Sequence, residues 1–142
     1  MEHSDISTNL IANYVATNYQ VGTGADKFIL HVNQHCESLS RLLTVKQKDS
    51  ATIITAYNPF SQPQDPAKNL AANIKLAQVL RRYANPAIDS MSIDPAGIWP
   101  AEKSFCVLGL NLDTAKFLGQ KFNQNAIVWT DSSAIPQLIL LR

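Results

Sequence analysis

Charge is scarce in this chain. Lys, Arg, Asp and Glu make up 16% of its 142 residues, against roughly a quarter in an average globular protein. The charges that exist nearly cancel, to a net +1. No basic stripe runs longer than the pair Arg81-Arg82, so nucleic acid is not expected as a partner, because backbone binding needs a basic face. No apolar run approaches the ~20 residues that span a bilayer. The first ten residues carry Glu2 and Asp5 and lack the basic start and apolar stretch of a secretion signal. No membrane association is expected, and the expected location is the cytoplasm. Cysteine is limited to Cys36 and Cys106, which read as reduced thiols and not as part of a bridged set. Histidine is limited to His3, His31 and His35. All three precede residue 36, which deprives the later segments of a histidine base. His35 and Cys36 are adjacent, but without a Cys-x-x-Cys they make a poor metal set. No metal and no cofactor are expected.

What is abundant is neutral amide: eleven Asn and nine Gln. With 46% hydrophobic residues, the chain has the composition and length of a single globular domain. The pattern suggests an N-terminal helix and turn over residues 1–26 and a core over 27–142. A helix is predicted over 5–19, capped by Asp5 or Ser7. Gly22-Thr23-Gly24 precedes a strand where a phosphate loop would follow one, so it reads as a turn. Strands are predicted at 28–32, 51–57, 87–93, 104–110, 126–130 and 137–141. A short helix is expected at 36–43 and another from Asn111 or Asp113 to about Phe122. The clearest helix start is Asp65-Pro66, a cap followed by proline at the first helical position, and this helix runs to about Tyr83. From residue 51 the order is β-α-β-β-α-β-β. The fold class is therefore α/β (α+β) with a mixed sheet, and the order permits a ferredoxin-like split unit with added strands.

Three polar clusters stand out. In the helix from Pro66, Asn69 and Asn73 fall within the inward stripe with Leu76, Ala77, Leu80 and Tyr83. Asn is a poor helix former, and a buried amide without partners costs about 1–3 kcal/mol. Either these amides brace the loop 58–64, or they face a polar pocket near the helix start. The brace is the plainer reading. In Trp99-Pro100-Ala101-Glu102-Lys103-Ser104, Glu102 and Ser104 share a strand face with Cys106 and Leu108. A carboxylate at the mouth of an apolar strand can have a raised pKa and act as acid or base; a strand-entry Glu in water is the commoner case. In Phe122-Asn123-Gln124-Asn125, Asn123 or Asn125 supplies a left-handed helix end, which leaves Gln124 to reach inward. Asn58, Asn69, Glu102, Ser104, Gln124 and Asn125 are the candidate ligand-binding residues, with Glu102 the catalytic candidate. Asp65, Asp89 and Asp94 are the available carboxylate partners for it.

Around Thr55-Ala56-Tyr57-Asn58-Pro59-Phe60-Ser61, Asn69, Trp99 to Phe105 and Phe122 to Ala126, the sequence resembles an uncharacterised bacterial family, domain of unknown function 3293, over roughly residues 27–142. Asn123 stands where that resemblance implies glycine, and a left-handed turn tolerates either. The resemblance ties the segments together and implies no activity. Two functions remain open. One is a small binding or regulatory module that recognises a polar ligand or protein partner through neutral amides. The other is an enzyme acting on a nucleotide-like or phosphorylated substrate with Glu102 as acid/base. A third class, a protein that obstructs another macromolecule, would present a flat patch instead of a concave one. The sequence carries no signature of oligomeric state.

Overall fold

A computed structural model describes residues 4–83 and 85–142. His3 lies outside them. Local chemistry sets the first helix, α1 (Thr8–Ala16), where Ser7 caps the start by accepting from Leu10 N–H at 3.2 Å. The helix ends three residues before the predicted Tyr19. Thr17 turns its hydroxyl back to the Asn13 carbonyl at 2.6 Å, and the next residues alternate between half-buried and buried. That alternation is strand β1 (Asn18–Val21), whose period of two a helical reading of Tyr19 overlooks. β2 (Phe28–Leu30) pairs with it around the Gly22 turn. It stops short of Val32, and Asn33 N–H donates to the Pro136 carbonyl instead.

Helix α2 (Glu37–Lys46) follows, then β3 (Ala51–Ile54). β3 is shorter than the predicted 51–57 because Thr55 turns its hydroxyl to the Lys103 carbonyl at 2.6 Å and receives Tyr57 N–H. Helix α3 (Pro66–Arg81) starts as expected, with the Asp65 carboxylate accepting from Ala67 N–H at 2.9 Å. Its inward stripe is Asn69, Asn73, Leu76, Val79 and Leu80. Tyr83, placed inward by periodicity, lies beyond the last turn and is exposed. β4 (Ala87–Ile93) and β5 (Glu102–Leu108) form an antiparallel pair. Asn111 caps α4 (Leu112–Lys121). β6 (Ala126–Thr130) and β7 (Gln137–Leu140) close the chain as a hairpin.

All seven strands join one antiparallel sheet, in the order β2-β1-β4-β5-β3-β6-β7. The central four, β4-β5-β3-β6, have the ferredoxin-like order, with β7 added at one edge and the β1-β2 hairpin at the other. Side chains alternate across the sheet. On one face Ile54, Val107 and Ile127 pack with Leu76, Leu80 and Leu118 of α3 and α4. On the other, Ile53, Cys106, Leu108 and Val128 pack with Leu39 and Leu43 of α2. Both cysteines are free thiols, and burial pushes Cys106 up to about 12. Among the described residues no helix is long and apolar enough to cross a membrane.

Candidate functional site

The polar residues gather at one end of the sheet, where the loop after β3 passes from one layer to the other. This loop is conformationally costly. Asn58, Phe60 and Ser61 all have left-handed backbones, at φ 46°, 57° and 57°, a region that Asn tolerates and Phe does not readily adopt. Side chains and backbone from distant segments hold it. Asn58 N–H donates to Asn69 Oδ1 at 2.8 Å, and Asn69 Nδ2 returns a bond to Asn58 Oδ1 at 2.8 Å. Gln64 adds its backbone N–H to Asn58 Oδ1 at 3.1 Å and its side-chain Nε2 to Asn69 Oδ1 at 2.9 Å. One turn along α3, Asn73 Oδ1 accepts from Ala56 N–H at 3.1 Å. Phe60 N–H reaches the Asn123 carbonyl at 2.7 Å, and the Arg142 guanidinium lies 4.6 Å from the Phe60 ring centre.

Asn58 also reaches the opposite layer. Its Nδ2 donates to Glu102 Oε1 at 2.7 Å. Glu102 belongs by alternation to the face covered by α2, whereas Asn69 sits on α3 across the sheet. A single asparagine side chain bonds both. Burial raises the Glu102 carboxyl above the usual carboxylate range, and the Asn58 hydrogen bond pulls it part of the way back. Asp65 and Asp94 offer this carboxyl no partnership, because each is spent on backbone amides: Asp65 on the start of α3, Asp94 on Ala96 and Ile98 N–H in the loop before Trp99. Asp89 alternates onto the other face and is exposed.

Gln124 and Asn125 belong to the same neighbourhood by different routes. Asn123 takes the left-handed position after α4, at φ 58°, and this turns both following amides inward. Gln124 Nε2 donates to the carbonyls of Tyr57 and Phe122, each at 3.2 Å. Asn125 Nδ2 donates to Ser61 Oγ at 3.1 Å and to Tyr14 OH at 3.3 Å, while its Oδ1 accepts from Arg142 at 2.9 Å. The Tyr14 and Ser61 hydroxyls bond each other. Ser104 stands apart. It lies two residues further along β5, opposite Ser90, with its hydroxyl buried and without a partner among the described residues.

Two adjoining cavities flank the Asn58–Glu102 pair. The outer one, about 460 Å³, is bounded by Leu10, Pro63, Gln64, Pro66, Asn69 and Pro100 among others. The inner one, about 70 Å³, runs under α1 past Thr17, Tyr19, Thr55, Ser92, Gln124 and Asn125 to Val128 and Leu138. Tyr14, Tyr57, Asn58, Ser61, Trp99 and Glu102 line both and form the neck between them. Tyr14 and Gln64 escape sequence reasoning. Tyr14 reads as an ordinary inward residue of α1, and Gln64 as loop, although it is another amide in the 58–73 stretch already rich in them.

The model of a family described as "Protein of unknown function (DUF3293)" matches residues 54–127, just over half of the chain. The chain belongs to this family. The DUF3293 match is narrower than the 27–142 span of the resemblance, and runs from the end of β3 into β6. It includes Asn58, Asn69, Glu102, Gln124 and Asn125 but not Tyr14, Thr17 or Tyr19, so the α1 wall of the cavities lies outside it. No curated protein and no solved structure matches the chain.

Proposed function

We propose that this DUF3293 protein is a binding module for a small polar ligand, held in the double cavity with the Asn58–Glu102 pair at its neck. The observation that carries this reading is the shape: polar groups from α1, the loop after β3, β5 and the start of β6 converge on a concavity of ligand size, walled by aromatic rings. A flat partner-binding patch would not need an inner chamber. The amide cluster serves this site indirectly. Its bonds are closed on the protein, so it braces Asn58, and Asn58 aims Glu102. A ligand would meet the carboxylate and the ring-bearing walls.

A second reading rests on the raised Glu102 carboxyl, which suits a general acid or base. The phosphorylated-substrate version of that reading lacks support, because among the described residues the lining of both cavities contains no Lys, Arg or His. The test is a metabolite screen by thermal shift, followed by amide and indole NMR of the hits. A ligand that stabilises the protein and moves the Trp99 indole and Asn58 signals supports the module. Hits that move only distant surface signals overturn it. Turnover that Glu102→Gln abolishes while binding persists would favour the enzyme.

A further inference from the structure

Resting on the reading of the double cavity as a binding site, we infer that its ligand is a small organic cation: an amine or guanidinium group carried on a compact apolar or aromatic body.

The argument begins with which hydrogen-bonding capacity is left over. Nearly every amide donor near the cavities is already committed: Asn58 Nδ2 to Glu102, Asn69 Nδ2 to Asn58, Gln64 Nε2 to Asn69, Gln124 Nε2 to two carbonyls, Asn125 Nδ2 to two hydroxyls. What remains is the second carboxylate oxygen of Glu102, which only accepts, the hydroxyls of Tyr57 and Ser92, which accept or donate, and two neutral donors, the Trp99 indole and the Asn13 amide. An anion would meet the Glu102 carboxylate with only neutral donors to offset it. A group that only donates finds partners.

Charge points the same way. Among the described residues Glu102 is the one carboxylate in the lining of either cavity, and the lining holds no cationic side chain. The titratable groups facing it are phenols: Tyr14 from α1, Tyr19 from β1 and Tyr57 from the loop after β3. Arg142, the cation that comes closest in the hydrogen-bond network, is occupied with Asn125 and the Phe60 ring. A half-buried carboxylate without a counter-charge is unfavourable, and a desolvated cation at the neck would supply it. The rings of Tyr14, Tyr57 and Trp99 add a quadrupole attraction that only a cation gains. Size follows from the chambers. The inner 70 Å³ holds a group of a few heavy atoms, since one water occupies roughly 10–15 Å³ by the same measure. The outer chamber takes the body.

The experiment compares ligands that share one body and differ in charge: tyramine, its neutral alcohol analogue tyrosol, and 4-hydroxyphenylacetate, with agmatine, methylguanidine and butylamine as further cations. Affinity is read by calorimetry and by NMR shifts at Glu102 and the Trp99 indole. The expected result is that a cation binds about tenfold or more tighter than its neutral partner. Glu102→Gln should remove that advantage, so that the variant binds a cation and its neutral partner alike, and cation binding should weaken as acid protonates Glu102. Equal or better binding of the neutral or anionic analogue overturns the cation assignment while the site itself stands. Cation binding indifferent to a folded Glu102→Gln overturns it as well. Silence from all three charge classes at millimolar concentration overturns the site reading and the inference together.

Discussion

The two faces of one sheet are finished differently. Beneath α3 and α4, strand residues such as Ile54, Val107 and Ile127 meet leucines and the layer closes around them, with a groove of about 340 Å³ left toward β4, between Ile74 and Ala77 of α3 and Met91 and Phe105 of the sheet. On the other face the same strands are apolar only as far as α2 reaches. Toward α1 they present Thr55, Ser92 and Glu102, and a cavity remains. Alternating residues of β3 and β5 therefore serve opposite ends: one set holds the fold together, and the other leaves acceptors open at the cost of packing. Asn58 is the point where the two meet.

The sharpest way to break this contrast is to remove bulk from the closed face. Leu76 is fully buried, and Leu76→Ala should destabilise by about 3 kcal/mol in chemical denaturation, more than any single change at the α1 end. Next comes Asn69→Ala. It strips Asn58 N–H and Gln64 Nε2 of their acceptor and should lose about 2 kcal/mol. If Asn69 were merely a solvated helix residue, the loss would fall below half a kilocalorie.

How much of this was legible beforehand depends on distance along the chain. Asp65-Pro66 announces α3 locally, and the β-branched runs announce β3 to β7. The order from residue 51 was enough to suggest the ferredoxin-like arrangement that the central four strands adopt. Asn69 and Asn73 could be marked because amides on an inward stripe are anomalous in one helix alone. The bonds that gather the rest span 44 residues between Asn58 and Glu102 and 111 between Tyr14 and Asn125, and no local period encodes such pairs. Ser104 shows the converse. It shares parity with Glu102 but lies one step too deep, so parity alone overstates what a strand delivers to its end.

Two buried hydroxyls without partners among the described residues, Thr52 on the face under α3 and α4 and Ser104 on the open one, sharpen the comparison further. Thr52→Val keeps the shape and removes an unmet polar group, and should gain about 1 kcal/mol. Ser104→Ala should gain less, because its surroundings already include Ser90 and Ser92; equal gains would mean that the two faces are alike in polarity there. pH probes the open face directly. Because the folded-state pKa of Glu102 is raised, its ionisation disfavours the fold. Stability from this group is complete below the unfolded-state carboxyl range and is lost as pH rises through the raised value. Glu102→Gln should therefore flatten that decline and match the wild type in acid, as followed by Tm against pH. The smallest effect is expected at Asn123→Gly, which relieves a left-handed backbone at φ 58° and should gain about 0.5 kcal/mol.

The left-handed run at Asn58, Phe60 and Ser61 has a consequence in time. Beside local bonds from Ser61 and Gln64 to Asn58, its restraints come from Asn69, Asn123, Asn125 and Arg142, so part of what holds it arrives only when the layers dock. Contacts of such separation form late, and segments that depend on them open first. The amide protons of Asn58 and Phe60, although bonded at 2.8 and 2.7 Å, should then exchange with solvent sooner than that of Val107 at the centre of the sheet. The neck of the cavity should therefore form after the sheet and open before it.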